Sequence, residues 1–516
     1  MGRKSIGRDV FRAIFVLMSH RTAYCADAVR ALEGALMASE GIDSNALMER
    51  AGAAAYARAR RAFPGARRWI VLAGAGNNAG DGFVMARLAK QEGLGVKIML
   101  LSPENRPRGD AATQFEAARQ SAVPAGPLAH AELGGGDLIV DAMLGIGLDR
   151  PLGGLYLEAA QAANEGSAPV VAVDIPTGIH ADTGALLGAA VRSALTVTFV
   201  ADKCGLFLGD APDYVGRRVL EPLGRIAPGR VAEIETAFNG TPMLRVFTAA
   251  TLRAMLPARR RADHKGRFGH VLVVAGGPGM GGAARLAGEG ALRAGAGLVS
   301  VATHPEHSAA LLSGQPELMV RGVRNAEDLA PLIERATVLA VGCGLGQDAW
   351  AREVFAAALG SNLPRVVDAD GLAQVTPDRA DAAPLILTPH PGEAGRLLER
   401  SSAQVQADRL DTVTALRKRY GGAALLKGAH TLVSGSEKAP WVIDAGNPGM
   451  ATAGMGDVLT GLMAGLWAQF PEAEPEDLAA LAAFVHAGAG DRVAEAGQRG
   501  MIAGDVLDAL RAGLNP

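Results

Sequence analysis

The sequence predicts an α/β protein made of two units, each built on a largely parallel sheet. Two segments carry most of this reading. Trp69–Ala73 is a short apolar run that feeds the glycine-rich stretch 74–82 and then a helix from Phe83; Val271–Ala275 does the same through 276–282 into a helix from Ala283. Strand, glycine loop and helix in that order form the βα turn of an open parallel sheet. The third observation is alternation: further short apolar runs recur between helical stretches, each ending in a polar or glycine-rich turn. A length of 516 residues with 67 glycines suits two to four domains joined by many tight turns.

Composition narrows the function classes. With 49% hydrophobic and 20% charged residues and a net charge of −2, the chain has no general pull toward nucleic acid or an anionic membrane surface. Cys25, Cys204 and Cys343 lie too far apart for a metal or redox motif, and they imply no disulfide framework. No apolar run approaches the roughly 20 residues of a membrane helix. The apolar patch Ala13–Met18 behind a basic start is shorter than a signal core, so Met18 is an alternative start and a cytoplasmic protein is expected.

In order along the first half, Ala28–Ala59 reads as helix, broken by Gly41 and Asp43, with Ser44 a candidate cap for the second piece. After the strand 69–73, Asn77, Asn78 and Asp81 add side-chain oxygens that a plain dinucleotide fingerprint does not need. Strands Leu138–Asp141 and Val170–Asp174 end in carboxylates, the second before Ile-Pro-Thr-Gly. In a parallel sheet these ends share one edge, so Asn78, Asp141, Asp174 and Thr177 converge there. Oxygen ligands without His or Cys suit a hard cation, while simple turn capping explains the same aspartates equally well. Lys203, after strand Leu195–Val200, either faces an anionic ligand or is solvated.

The segments L-M-E-R-A-G (47–52), A-G-A-G-N-N-A-G-D-G (73–82), D-A-M-L-G-I-G (141–147) and D-I-P-T-G (174–178) resemble the NAD(P)H-hydrate epimerase family. The resemblance implies a Rossmann-like three-layer sandwich over 19–236. It also implies potassium on Asn78, Asp141 and Thr177. The hydrated dinucleotide would lie on Asn77, Asn78, Ala79, Gly80, Asp81, Gly145, Ile146, Gly147, Leu148, Asp149, Arg150, Pro151 and Asp174, with Asp174 the candidate acid/base group. Ala79, Ile146 and Thr177 depart from the family's usual residues; Ala79 matters only if its position needs a positive φ.

Residues 203–245 lose clear periodicity, so the boundary is placed at 236–247, before a helix capped by Thr248 or Thr251. In the second half, strands at 298–302, 338–341, 365–367 and 385–387 end in T-H-P, G-C-G-L-G, D-A-D-G and T-P-H-P-G-E. His390 between two prolines has a pre-set backbone that presents its ring. Lys427 and Thr431, in a strand–turn–strand, can grip a phosphate, or the lysine is simply solvated. Gly446, Gly449, Gly454 and Gly456 permit tight turns ahead of a helical spacing from Val458. Amides at such a helix start suit a phosphate, and Asp457 there is either a cap or a base.

T-P-H-P-G-E, L-L-K-G-A-H-T (425–431) and A-T-A-G-M-G-D-V-L-T-G (451–461), with H-K-G-R-F-G-H (264–270) ahead of them, resemble the ribokinase-like NAD(P)H-hydrate dehydratases. With the first half, the chain is similar to the bifunctional NAD(P)H-hydrate repair enzymes. The resemblance implies a ribokinase-like three-layer sandwich over 248–516, with adenine nucleotide on Lys427, Gly428, Ala429, His430, Thr431 and Gly456. Hydrated NADH or NADPH would face Ala283, Gly344, His390 and Asp457, with Asp457 as catalytic base. It further implies K+, Mg2+, ADP (or ATP) as co-substrate, and a homo-oligomer. A ribokinase-type small-molecule kinase fused to a dinucleotide-binding domain is the alternative; a non-catalytic nucleotide sensor is the third reading.

Overall fold

The computed structural model describes residues 21–101, 107–129, 133–377 and 383–516; the apolar patch 13–18 and Met18 lie outside them. The chain divides into two compact units, Thr22–Leu244 and a second that contains Arg245–Pro516.

The N-terminal unit opens with a short strand, Arg21–Tyr24, followed by helices α1 (Ala26–Glu40) and α2 (Ser44–Ala62). Gly41, at φ 64°, closes α1, and the Asp43 carboxylate accepts from the Ala46 amide at 2.8 Å. Asp43 is therefore the cap, and Ser44 is the first helical residue. Then come β1 (Arg68–Ala73), α3 (Asn77–Gln91), β2 (Gly95–Leu100), α4 (Asp110–Gln120), β3 (Ala125–Pro127) and β4 (Leu138–Ala142). After them follow α5 (Gly154–Glu165), β5 (Val170–Val173), β6 (Leu195–Phe199), β7 (Arg217–Glu221) and α6 (Pro228–Ala237). The seven strands pair in the order β3-β2-β1-β4-β5-β6-β7, every pair parallel.

Strands that read as continuous apolar runs are those covered on both faces. In β1, Trp69, Val71 and Ala73 enter one core with α2 and α3, while Ile70 and Leu72 enter another with α5. This is the period-2 alternation of a strand shared between two helix layers.

Helix α3 starts six residues earlier than its sequence implies. Gly80 and Gly82 are helical residues whose missing Cβ admits a neighbour: a Cβ at 80 would lie 2.3 Å from Met48 Sδ, and one at 82 would lie 2.5 Å from Ala142 Cβ. These glycines serve packing rather than a turn. Ala79 is helical and buried, outside the positive-φ residues, so its departure from the family has no backbone cost. The stretch without periodicity, 203–245, holds β7 and α6, a mostly polar strand and a helix begun by Pro228.

The C-terminal unit is built on strands β8 (Met243–Val246), β9 (His270–Val274), β10 (Leu298–Thr303), β11 (Met319–Gly322) and β12 (Val338–Val341). These are followed by β13 (Arg365–Val367), β14 (Leu385–Leu387), β15 (Ala423–Leu426), β16 (Thr431–Ser434) and β17 (Trp441–Ile443). They run β11-β10-β9-β12-β13-β14-β15-β16-β17-β8, parallel from β11 to β15, with β16 antiparallel to both neighbours. Thr248 caps the helix after β8, accepting from the Thr251 amide at 3.2 Å. Helices α7 (Gly281–Ala294), α8 (Pro391–Leu398) and α9 (Met455–Gln469) place the residues discussed below. The backbones of α7 and α9 nearly touch, since a Cβ on Gly461 would fall 1.8 Å from the Ala287 carbonyl. Among the described residues, no helix is long and apolar enough to cross a membrane.

Two candidate active sites

In the N-terminal unit the strand order reverses beside β1, and ligands collect at such a point outside the carboxyl ends of the strands. A cavity of about 1150 Å³ opens there. Asn77, Asn78, Asp81, Gly145, Ile146, Gly147, Leu148, Asp149, Arg150, Pro151 and Asp174 all line it. Ala79 and Gly80, expected beside them, do not. They lie on the inward side of α3, where Ala79 is fully buried and Gly80 packs on Met48.

Beside the cavity wall, Thr177 and Asp141 are tied together. The Thr177 hydroxyl donates to Asp141 Oδ1 at 2.7 Å, and its amide donates to Oδ2 at 2.8 Å. The Met143 amide also reaches Oδ1 at 3.3 Å, so Asp141 does serve its own turn, as the capping reading held. Burial pushes the Asp141 carboxyl up to about 6, against these hydrogen bonds. No cationic side chain pairs with it among the described residues. Asn78, only 9% exposed, has an Nδ2 without a partner. A buried carboxylate, a hydroxyl and the Asn78 side-chain oxygen form the oxygen set that suits a hard cation of low charge, while the unpartnered Nδ2 is a donor and takes no part in it.

Asp174 ends β5 in the left-handed region, φ 68°. Its carboxylate accepts from the Phe199 amide and the Thr198 hydroxyl, both at 3.3 Å, and pairs with Lys203. The Lys203 ammonium is wholly buried and also donates to Thr198 Oγ1 at 2.9 Å and the Phe199 carbonyl at 3.0 Å. The alternative of a solvated Lys203 is thereby ruled out. Glu33 of α1 lines the same cavity, and nothing in its helical context marked it.

In the C-terminal unit, Gly454, at φ 88°, turns the chain into α9, and Asp457 falls in the first helical turn. Gly456 is a close fit: a Cβ there would stand 3.0 Å from Lys427 Nζ and 3.3 Å from Asp368 Oδ2. Lys427 is not solvated. Its ammonium pairs with Asp368 Oδ1 at 2.5 Å, while the Thr460 hydroxyl donates to Oδ2 at 2.8 Å. Burial works against charge on both partners, and their attraction outweighs it, so the Asp368 carboxyl lies low and the lysine high. Burial lifts the Asp457 carboxyl to about 6, helped by Asp368 and Asp370 and opposed by the Cys343 thiol and Lys427. A base with that value is half ionised near pH 6 and largely ionised at neutral pH.

The Lys427 amide donates to the Pro389 carbonyl at 2.9 Å, which sets the T-P-H-P-G-E turn against the lysine strand. His390 caps α8: its Nδ1 accepts from the Gly392 and Glu393 amides at 3.0 and 3.4 Å, and half of the ring stays exposed. Gly344, at φ 54°, lies against α7, where its Cβ would approach that of Ala283 to 3.0 Å. In the turn 427–431, Gly428 and Ala429 are exposed, His430 pairs with Asp444 at 3.2 Å, and the Thr431 hydroxyl donates to the Gly428 carbonyl at 3.1 Å. Asp368 and Thr460 were the residues missed, although D-A-D-G at a strand end carried a signal for the first.

Comparison with known proteins agrees across the chain. The family model for NAD(P)H-hydrate dehydratase matches residues 271–512, and that for the YjeF-related protein N-terminus matches 44–205. A bifunctional NAD(P)H-hydrate repair enzyme of Coxiella burnetii is 42% identical over 95% of this chain and 98% of its own. That of Escherichia coli K12 is 41% identical over 96% and 94%. Among solved structures, an ADP/ATP-dependent NAD(P)H-hydrate dehydratase from Bacillus subtilis, co-crystallised with ATP and Mg2+, shares 27% identity over 51% of this chain and 95% of its own, at a TM-score of 0.47. With relatives above 40% identity along almost its whole length, the chain belongs to the bifunctional NAD(P)H-hydrate repair enzymes.

Proposed function

We propose that residues 248–516 dehydrate the S form of hydrated NADH or NADPH at the expense of ADP, and that residues 19–236 interconvert the R and S hydrates. The observation that carries the first half is Asp457 in the opening turn of α9, beside an amide-lined helix start and the Lys427–Asp368 pair. The hydrate bears a hydroxyl on ring carbon 6, a poor leaving group. Asp457 takes the hydroxyl proton as that oxygen attacks the terminal phosphoryl of ADP, and AMP departs. The phosphate ester then leaves with the C6–O electrons, pushed by the ring nitrogen, and loss of a C5 proton restores the dihydropyridine. The Gly454–Gly456 amides and the dipole of α9 stabilise the charge on the phosphoryl in flight.

Lys427, Gly428, Ala429, His430, Thr431 and Gly456 hold the nucleotide in this reading, while Ala283, Gly344 and His390 face the hydrate. Mg2+ accompanies the nucleotide phosphates. In the N-terminal unit, Asn78, Asp141 and Thr177 would hold K+, whose charge would offset that of the buried Asp141, and Asp174 handles protons at the ring.

The test is incubation of the protein with mixed R and S hydrates of NADPH plus ADP or ATP. Recovery of absorbance at the reduced nicotinamide band, with ADP turned to AMP and both epimers consumed, is expected. A stable phosphorylated product with no recovered absorbance would overturn the dehydratase reading.

A further inference from the structure

The cavity of the N-terminal unit holds a carboxyl that the reaction so far does not use. Glu33 projects from α1, whereas Asp174 arrives from the end of β5 and Asp81 from α3, and all three line the same space. Among the described residues, Asp174 is the one carboxylate that Lys203 pairs with. Glu33 is half-buried and makes no hydrogen bond or ion pair recorded among the described residues. Asn78, nine-tenths buried with its Nδ2 unpartnered, shows that the same cavity has polar groups waiting for a ligand.

Glu33, Asp81, Asp110, Asp149 and Asp174 line the cavity with only the Arg30 and Arg150 guanidiniums beside them, and even with the Lys203 ammonium paired to Asp174 the carboxyls are in excess, a charge that a shared proton relieves. Burial and then the Asp174 charge push the Glu33 carboxyl up, with Lys203 and Arg30 opposing. Burial, Asp174 and Glu33 together push Asp81 well up, Lys203 opposing. Asp174, Asp81, Lys203 and Arg30 are the charged groups that face Glu33.

Building on the epimerase reading, we propose that Glu33 is a second catalytic residue of hydrate epimerisation, acting as proton donor to the C6 hydroxyl while Asp174 acts as base. Glu33 protonates the hydroxyl, the C6–O bond breaks, and water leaves. The ring-nitrogen lone pair forms the N1=C6 iminium. Water then adds to C6 from the other face and gives a proton to Asp174. Glu33 ends ionised and Asp174 protonated; the proton returns through solvent in the open cavity, and in the reverse direction the two roles exchange. No oxidant or co-reactant is consumed. One residue alone cannot serve both faces of a planar iminium, which is why two carboxyls on separate elements suit the reaction.

The test uses the full chain and purified R and S hydrates of NADPH, with epimer exchange followed by chromatography. Glu33→Gln is isosteric and is expected to lower exchange roughly 10²-fold or more, the scale of a removed general acid, with KM changed less than threefold. The alkaline limb of the pH–rate profile disappears with it, which a purely structural role would not cause. Glu33→Asp, tested alongside, keeps a carboxyl and is expected to recover at least a tenth of the rate. Exchange by Glu33→Gln within threefold of the unsubstituted chain, with the alkaline limb intact, overturns the assignment while leaving the epimerase reading standing. Absence of exchange in the unsubstituted chain overturns both. Loss of exchange in Glu33→Gln together with loss of substrate binding also overturns it, since Glu33 would then support the fold of the cavity.

Discussion

The two units place a lysine and carboxylates at the same part of a parallel sheet but wire them differently. In the N-terminal unit, Lys203 pairs with the candidate acid/base group itself and is wholly buried under it. In the C-terminal unit, Lys427 pairs with a different carboxylate, Asp368, and leaves Asp457 at the helix start with the Cys343 thiol rather than an ammonium against it, its carboxyl held near 6. The lesson is that a lysine near a catalytic carboxylate can either clamp it or neutralise its neighbour. A clamped group is positioned and costly to disturb. A spared group keeps a proton affinity useful near neutral pH.

The largest effect should come from breaking the clamp. Lys203→Met leaves Asp174 without its partner at the cavity wall, and with only the lysine end of the pair fully buried the cost is about 3 kcal/mol, the low end for a broken buried pair. Denaturant unfolding of the full chain should show a transition shifted to lower denaturant by that amount. An unmoved transition would mean that the pair contributes nothing to the fold.

Next is Asp457→Asn, expected to lower dehydration by roughly 10² or more with nucleotide binding retained and epimer exchange untouched. Turnover near that of the unsubstituted protein would remove Asp457 from the role of base. The same group sets a pH limb. A base must be ionised, and burial has raised this carboxyl to about 6, so dehydration should be constant above that pH and fall about tenfold per unit below it. A limb near pH 4 would show that the titrating group is an unperturbed carboxylate and not Asp457.

The smallest expected effect is that of Gly456→Ala. Its Cβ would press Lys427 Nζ at 3.0 Å, an overpacking of about 1 kcal/mol. That corresponds to a roughly fivefold rise in the KM of the nucleotide at unchanged kcat. A fall in kcat alone would mean that the crowding acts on Asp457 instead of on the lysine.

Much of this was legible in the sequence. Short apolar strands before polar or glycine-rich turns marked the central strands of both sheets but not β2, β3, β7, β8, β11 or β17, and the loop residues 145–151 with Asn77, Asn78, Asp81 and Asp174 do meet in one cavity. The helix starts at Asn77 and Gly281 were misplaced because glycine marks both turns and close packing, and only the neighbour in space tells which. Ala79 and Gly80 failed to reach the cavity for the same reason. Lys203 and Lys427 were open between ligand contact and solvent; their carboxylate partners lie 29 and 59 residues away, beyond any local pattern. Glu33 sits in an ordinary amphipathic helix, where only the fold brings it to a site.

The left-handed backbone of Asp174 has a further consequence. Side chains that tolerate such a conformation are few: glycine does so freely, and asparagine and aspartate do so at modest cost. The position therefore has a short menu of occupants before any chemistry is considered. Drift toward glutamate, which would keep the charge, is resisted by the shape of the main chain, and asparagine is the replacement that probes the carboxylate alone.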